Sequence, residues 1–275
     1  MRYANERFLY RLGESASRGR CVLKGASLLT FWLGDPYRAT RDVDLLASGP
    51  RSEAAIRALI RDVCEVPCAE DGLRFDLTVL VVEGIGGADE YPGRRARLVA
   101  ALGAARIQMQ VDFGFDDVLA AGPDDIEYPV LLDNLPAPRV RAYPREAVMA
   151  EKFEAMVSLA SRNSRMRDFH DVWALSEALR FDGLAVQRAV AACFERRRTS
   201  WLDELPGVLT PGFYRAPEME SRWHRHVAAG SVVVRPPNQV DIIGERIIQY
   251  FSPIRVSLIG GMTFTSIWEP RGPWR

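Results

Sequence analysis

Between residues 105 and 115 the chain reads ARIQMQVDFGF, and its positions alternate. Ile107, Met109, Val111 and Phe113 share one face of an extended strand, and Gln108, Gln110 and Asp112 share the other. Two runs before it, 73–83 and 95–103, have the same strand-like character. Upstream, CVLKG (21–25) is a short apolar strand ending at Gly25, and the helix that follows carries Ser27 in its first turn. RDVDLLA (41–47) is a second strand, closed by SGP. SEAAIRALIRDVCE (52–65) combines a serine cap with apolar residues at i, i+3 and i+4, which predicts an amphipathic helix; a further helix is predicted over 6–18.

The pattern changes at YPVLLDNLPAPRVRAYP (128–144), a proline-rich connection that marks a candidate domain boundary. Beyond it, 145–161, 165–179, 182–198 and 241–254 have helical periodicity, with a tryptophan-containing helix before the last and a short tail able to form strands. This order predicts an α+β protein: a mixed-sheet N-terminal domain over 1–140 followed by a mainly helical domain over 141–275.

Composition narrows the class. With 275 residues, 48% hydrophobic and 26% charged, the chain can bury a substantial core. No run reaches the roughly 18 apolar residues of a membrane helix, and the N-terminus is charged where a signal peptide would be apolar, so a soluble cytoplasmic protein is expected. Four cysteines, with no histidine near Cys64 and Cys68, predict reduced thiols without a zinc site. The formal charge is zero, but residues 1–140 hold 17 basic against 21 acidic residues and 141–275 hold 19 against 15. That asymmetry suits a polyanionic partner only weakly. More informative, the 36 basic residues include just two lysines, Lys24 and Lys152. In a chain whose coding otherwise favours arginine, they are either chance survivors or positions that require a compact point charge.

The chemistry concentrates around the strand at 41–47. In an extended segment residues i and i+2 project to one face, so Asp42 and Asp44 present two carboxylates about 6–7 Å apart at the Cα level. Hard cations such as Mg²⁺ take one or two protein carboxylates and fill the rest of their shell with water and substrate phosphate. Taken alone, the pair reads more simply as the start of a solvated edge strand beside Arg38 and Arg41. The upstream LKGAS changes that weighting. A glycine at a strand end, then a serine opening a helix, lets backbone N–H groups approach a phosphate; Ser27 adds a hydroxyl and Lys24 a charge. Asp112 offers a third carboxylate if its strand neighbours 42–46, with Asp76 competing for that role.

Three regions, 22–46, 91–117 and 143–175, resemble in order and spacing the signature regions of the AbiEii/AbiGii nucleotidyltransferase toxins, the superfamily that includes the MenT toxins. The resemblance spans about residues 5 to 255 and implies a polymerase-β-like nucleotidyltransferase domain joined to a helical one. It places the glycine-plus-hydroxyl turn on Gly25, Ala26 and Ser27, with Ala26 where a second glycine is frequent. The metal-binding pair falls on Asp42 and Asp44, the basic residue before the turn on Lys24, and the later lysine on Lys152. The element with a basic residue and two aspartates falls on Arg167, Asp168 and Asp171. Lys152 is then expected to meet nucleotide phosphates and Asp168 to assist; the alternative is that Asp168 merely holds Lys152. His170 is expected to be a packing or surface residue.

The implied activity is transfer of a nucleoside monophosphate from an NTP, with Mg²⁺ or Mn²⁺, to an RNA acceptor. A tRNA 3′ end is the implied acceptor, which would block translation, and a cognate antitoxin the implied controller. Lys24, Gly25, Ser27, Arg38 and Lys152 would bind nucleotide. Asp42 and Asp44 would hold metal, with Asp112 as third ligand or base. A phosphate on Thr40, two residues before Asp42, would put negative charge into the site and inactivate it. A protein-modifying transferase and a catalytically silent NTP-binding regulator are the alternatives.

Overall fold

A computed structural model of the chain describes residues 1–34, 42–85, 93–229 and 234–275. It divides into two compact units. The first comprises Met1–Phe31, Thr40–Asp117 and Pro123–Tyr143; the second comprises Trp32–Ala39, Val118–Gly122 and Pro144–Arg275.

The first unit is built on a seven-stranded mixed sheet. In chain order its elements are α1 (Arg2–Glu14), β1 (Cys21–Lys24), α2 (Ser27–Leu33, which runs past the unit's edge), β2 (Asp42–Ala47), α3 (Glu53–Cys64), β3 (Leu73–Ile85), β4 (Gly93–Leu102), β5 (Ala105–Gly114), β6 (Asp124–Glu127) and β7 (Arg139–Ala142). The strand order is β3-β4-β5-β2-β1-β7-β6. β2 lies parallel to β5 and antiparallel to β1, and β1 lies parallel to β7. The first helix starts four residues earlier than 6–18 predicts and ends at Glu14.

One face of the sheet packs on α1 and α3. The alternation in β2 and β5 follows from this: Val43, Leu45, Met109, Val111 and Phe113 are buried, and Asp42, Asp44, Gln110 and Asp112 take the other face. Along β3 the inward phase changes. Leu73 is buried at one end and Leu80 and Val82 at the other, because the register with β4 slips between Asp76 and Val81. A bulge of this kind moves a strand's apolar set from one face to the other, which period-two reading of 73–83 cannot anticipate. α3 is capped as its sequence predicts, with Ser52 Oγ accepting from the Ala55 N–H at 3.2 Å.

The proline-rich 128–144 is not only a connection. It contains β7, whose Val140 and Ala142 are buried and whose Ala142 pairs with Leu23. A four-residue strand between prolines has too few positions to establish a period, so the sequence pattern passes over it.

A buried ion pair secures α1. Arg11 donates to both oxygens of Asp71, at 2.5 and 3.1 Å, and the Leu73 N–H donates to Asp71 at 2.9 Å. Burial pushes the Asp71 carboxyl up, but these donors outweigh it and hold it below the usual carboxylate value. A carboxyl with a lowered folded pKa contributes stability above its unfolded value of about 3.9 and loses it as pH falls through the folded one. We expect Asp71→Asn to lower stability by about 3 kcal/mol at pH 7. Its urea midpoint should then fall less steeply than wild type's below about pH 4.

The second unit is mainly helical: α4 (Arg145–Leu159), α5 (Met166–Ala178), a two-residue β8 (Phe181–Asp182), α6 (Gly183–Arg197), α7 (Pro211–Tyr214), α8 (Pro217–Ala228), α9 (Val240–Ile259) and β9 (Ile267–Trp268), which pairs with β8. Phe153 of α4 stacks on Phe251 of α9 at 3.9 Å between centroids, with Phe194 and Trp201 beside it. α9 continues through Pro253 to Ile259, further than 241–254 predicts; buried Ile254 and Ser257 keep its last turns on the core despite the hydrogen bond that proline removes.

Candidate active site

The strand register puts the candidate residues of the first unit in one row. Lys24 on β1 lies opposite Asp44 on β2, Asp44 lies opposite Asp112 on β5, and Asp112 lies opposite Arg95 on β4. Directly paired residues of neighbouring strands project to the same face, so a lysine, two aspartates and an arginine line up across four strands. Asp42 is two residues from Asp44 on the same face, beside Gln110. Both aspartates are half-buried, on the face opposite buried Val43 and Leu45.

Gly25 shows why this arrangement requires glycine. Its φ is +73°, and a Cβ placed there would lie 2.8 Å from the carboxyl carbon of Asp44 and 2.9 Å from its Cβ. The turn after β1 and the Asp44 carboxylate are therefore packed directly against each other. From that turn the Leu28 N–H donates to the Gly25 carbonyl at 3.3 Å and the Leu29 N–H to the Ala26 carbonyl at 3.1 Å, starting α2. Ser27 is buried, and its carbonyl accepts from the Tyr128 hydroxyl at 3.1 Å.

Two candidates have partners that the sequence does not announce. Lys24 Nζ donates to Asp117 and, at 3.2 Å, to the Tyr143 hydroxyl, while lying over the Tyr143 ring. Tyr143 in turn donates to Asp117 at 2.9 Å. Asp112, expected as a third metal ligand or base, has both oxygens on Arg95, at 2.8 and 2.7 Å, with a further bond from Gln110 at 3.2 Å. The fork geometry of guanidinium against carboxylate explains the preference. Asp76, the competitor for that role, pairs with Arg106 and Thr78. Among the described residues, no three histidine, cysteine or acidic side chains converge closely enough to hold a metal ion. Asp42 and Asp44, with Gly25 leaving room for the second, still match the one or two carboxylates that a hard cation takes from protein. Arg38 and Thr40 lie outside the described residues.

In the second unit Lys152 and the α5 aspartates form their own cluster. Lys152 Nζ donates to Asp168 Oδ1 at 2.9 Å and to Asp171 Oδ2 at 2.7 Å, and Arg165 reaches the other oxygen of Asp168 at 3.0 Å. Burial would pull the Lys152 ammonium down, but Asp171 and Asp168 outweigh it and hold it above its ordinary value. Asp168 and Asp171 share a helix face at i, i+3, as their spacing predicts, and both close on Lys152. His170 is fully buried among Trp173, Trp223 and His226, a packing position.

The sequence model of the nucleotidyl transferase AbiEii toxin family, of type IV toxin–antitoxin systems, matches residues 7–242. The chain belongs to this family. No curated protein matches it significantly. Among solved structures it is similar to JHP933 from Helicobacter pylori, at 12% identity and a TM-score of 0.51, over 93% of this chain and 89% of that one. A candidate nucleotidyltransferase from H. pylori matches at 13% identity and a TM-score of 0.50, over 93% and 92%. At such identities these similarities speak for the fold. No described helix of this family member is long and apolar enough to cross a membrane.

Arg95, Asp117 and Tyr143 are the site neighbours that sequence reasoning missed. Arg95 carried a signal, since 95 and 97 alternate with buried Ala96 and Leu98, but which strand faced β4 was not readable. Asp117 and Tyr143 reach Lys24 across separations of 93 and 119 positions.

Proposed function

We propose that the protein transfers a nucleoside monophosphate from an NTP to an acceptor hydroxyl of RNA, a tRNA 3′ end being the best candidate, with Mg²⁺ or Mn²⁺ as cofactor. The observation that carries this reading is the row of Lys24, Asp44 and Asp112, with Asp42 beside it, at the Gly25 turn of an AbiEii family member. In the reaction the acceptor oxygen gives its proton to solvent water and bonds to the α-phosphorus. The bond from that phosphorus to the α,β-bridging oxygen breaks, and pyrophosphate leaves with the electron pair. A divalent cation, when bound, offsets triphosphate charge and lowers the pKa of the attacking hydroxyl.

Asp42 and Asp44 would hold that cation. The Gly25 turn and Ser27 would receive phosphate oxygens, and Lys24, steered by Asp117 and Tyr143, would offset charge on the leaving pyrophosphate. Arg38 enters as a nucleotide contact, Lys152 as a phosphate contact and Asp168 as its assistant, all through the resemblance alone. A phosphate on Thr40 as an off-switch is likewise part of the proposal. As a toxin the protein would act in the cytoplasm, blocking translation, and be opposed by a cognate antitoxin.

The test is incubation of the purified chain with each labelled NTP, Mg²⁺, total RNA and cell protein. Label in RNA is the expected result. Label only in protein makes it a protein-modifying transferase, and NTP binding without transfer makes it a regulator; either overturns the RNA assignment. Gly25→Ala supplies a sharper check. An alanine Cβ would meet the Asp44 carboxylate at a positive φ, a strain of about 1–3 kcal/mol. We expect transfer to fall by roughly 10- to 100-fold as Asp44 is displaced.

A further inference from the structure

We propose that Arg95 is a positioning residue that holds the third carboxylate of the site, Asp112, by both oxygens until a cation displaces or shares it. This rests on the nucleotidyltransferase reading and adds a competitor for the metal that lies within the chain itself.

The register places Arg95 in the same row as Asp112, Asp44 and Lys24, on the same face of the sheet. Its Nε and Nη2 each meet one Asp112 oxygen, at 2.8 and 2.7 Å, and the Gln110 amide adds a donor to Oδ2. With its charge neutralised in this way, Asp112 has little to offer a second cation. Hydrogen bonding to Asp112 holds the Arg95 guanidinium above its ordinary pKa, and the charge of Asp42 adds to the effect. The pair is reachable: the Arg95 side chain is 28% exposed and that of Asp112 is 19%. An arriving ion can therefore contest the contact without unfolding the strands. Arg95 does two opposed things. It holds Asp112 by both oxygens, aimed along the row, and it places a positive charge beside the site that a divalent cation must enter. The expected consequence is a site tuned to load weakly without nucleotide, when no triphosphate charge is there to offset that of the guanidinium.

The experiment is Mn²⁺ titration of the full chain, with free Mn²⁺ read by electron paramagnetic resonance and folding checked by circular dichroism. Wild type, Arg95→Met and Asp112→Asn are compared. Arg95→Met should bind Mn²⁺ about tenfold more tightly than wild type, because removing one nearby positive charge is worth roughly 1.4 kcal/mol at partial exposure. Asp112→Asn should bind no more tightly than wild type. If Arg95→Met does not fold, Arg95→Lys carries the test: an ammonium grips one oxygen at a time, and affinity should rise about threefold. A folded Arg95 variant with unchanged or weaker Mn²⁺ affinity overturns the competitor role while wild-type binding and transfer stand. Wild type that neither binds Mn²⁺ nor transfers a nucleotide overturns the nucleotidyltransferase reading itself, and the competitor role with it.

Discussion

Replacing Asp44 by asparagine is expected to cut nucleotidyl transfer by at least about 10³-fold while leaving the fold intact. The substitution keeps shape and volume, so the packing of residue 44 against Gly25 survives. What it removes, on the proposed reading, is one of the two charges that would hold the cation, and cation stabilisation of a phosphoryl-transfer transition state is worth several kcal/mol. A melting temperature close to wild type, together with lost transfer, separates a functional role from a structural one. A variant that keeps more than a tenth of wild-type transfer would falsify the assignment of Asp44.

The second large effect is on stability. Lys152→Met leaves Asp168 and Asp171 without the ammonium that both of them meet, and the Asp171 side chain has no exposed surface. Stranding buried charge in this way costs about 3–5 kcal/mol. The folded-state pKa of Lys152 is raised, so its contribution is fully present below the unfolded value of about 10.4 and is lost only as pH rises through the folded one. Urea denaturation at pH 7 therefore reads the whole effect. In the variant, protonation of an aspartate that has lost the ammonium relieves part of that cost, so the deficit should shrink as pH falls toward 4. A loss under about 1 kcal/mol at pH 7 would show that the cluster contributes little to the fold. It would leave phosphate contact as the reason for keeping a lysine at 152.

These expectations draw on two kinds of information. The strands at 21–25, 41–47 and 105–115, the helices at 52–65 and 145–161, and the pairing of Asp42 with Asp44 were legible because each is local: a period of two or of 3.6, a serine cap, a glycine at a strand end. Asp168 and Asp171 belong here too, since i, i+3 spacing puts them on one helix face wherever the helix goes. The family resemblance read from three ordered regions was likewise carried by residues alone, and the family match over 7–242 agrees with it.

What only the tertiary structure decided is which strands become neighbours, and through them who partners whom. β2 lies between β1 and β5, and that single fact brings Asp112 opposite Asp44 and Lys24 opposite it on the other side. The same packing gives Asp112 to Arg95 and Lys24 to Asp117 and Tyr143. It also turns part of a proline-rich connection into β7 and slips the phase of β3. A side chain's charge and its face are set by its own few neighbours in the chain. Its ionic partner is set by long-range strand pairing, which no local period encodes.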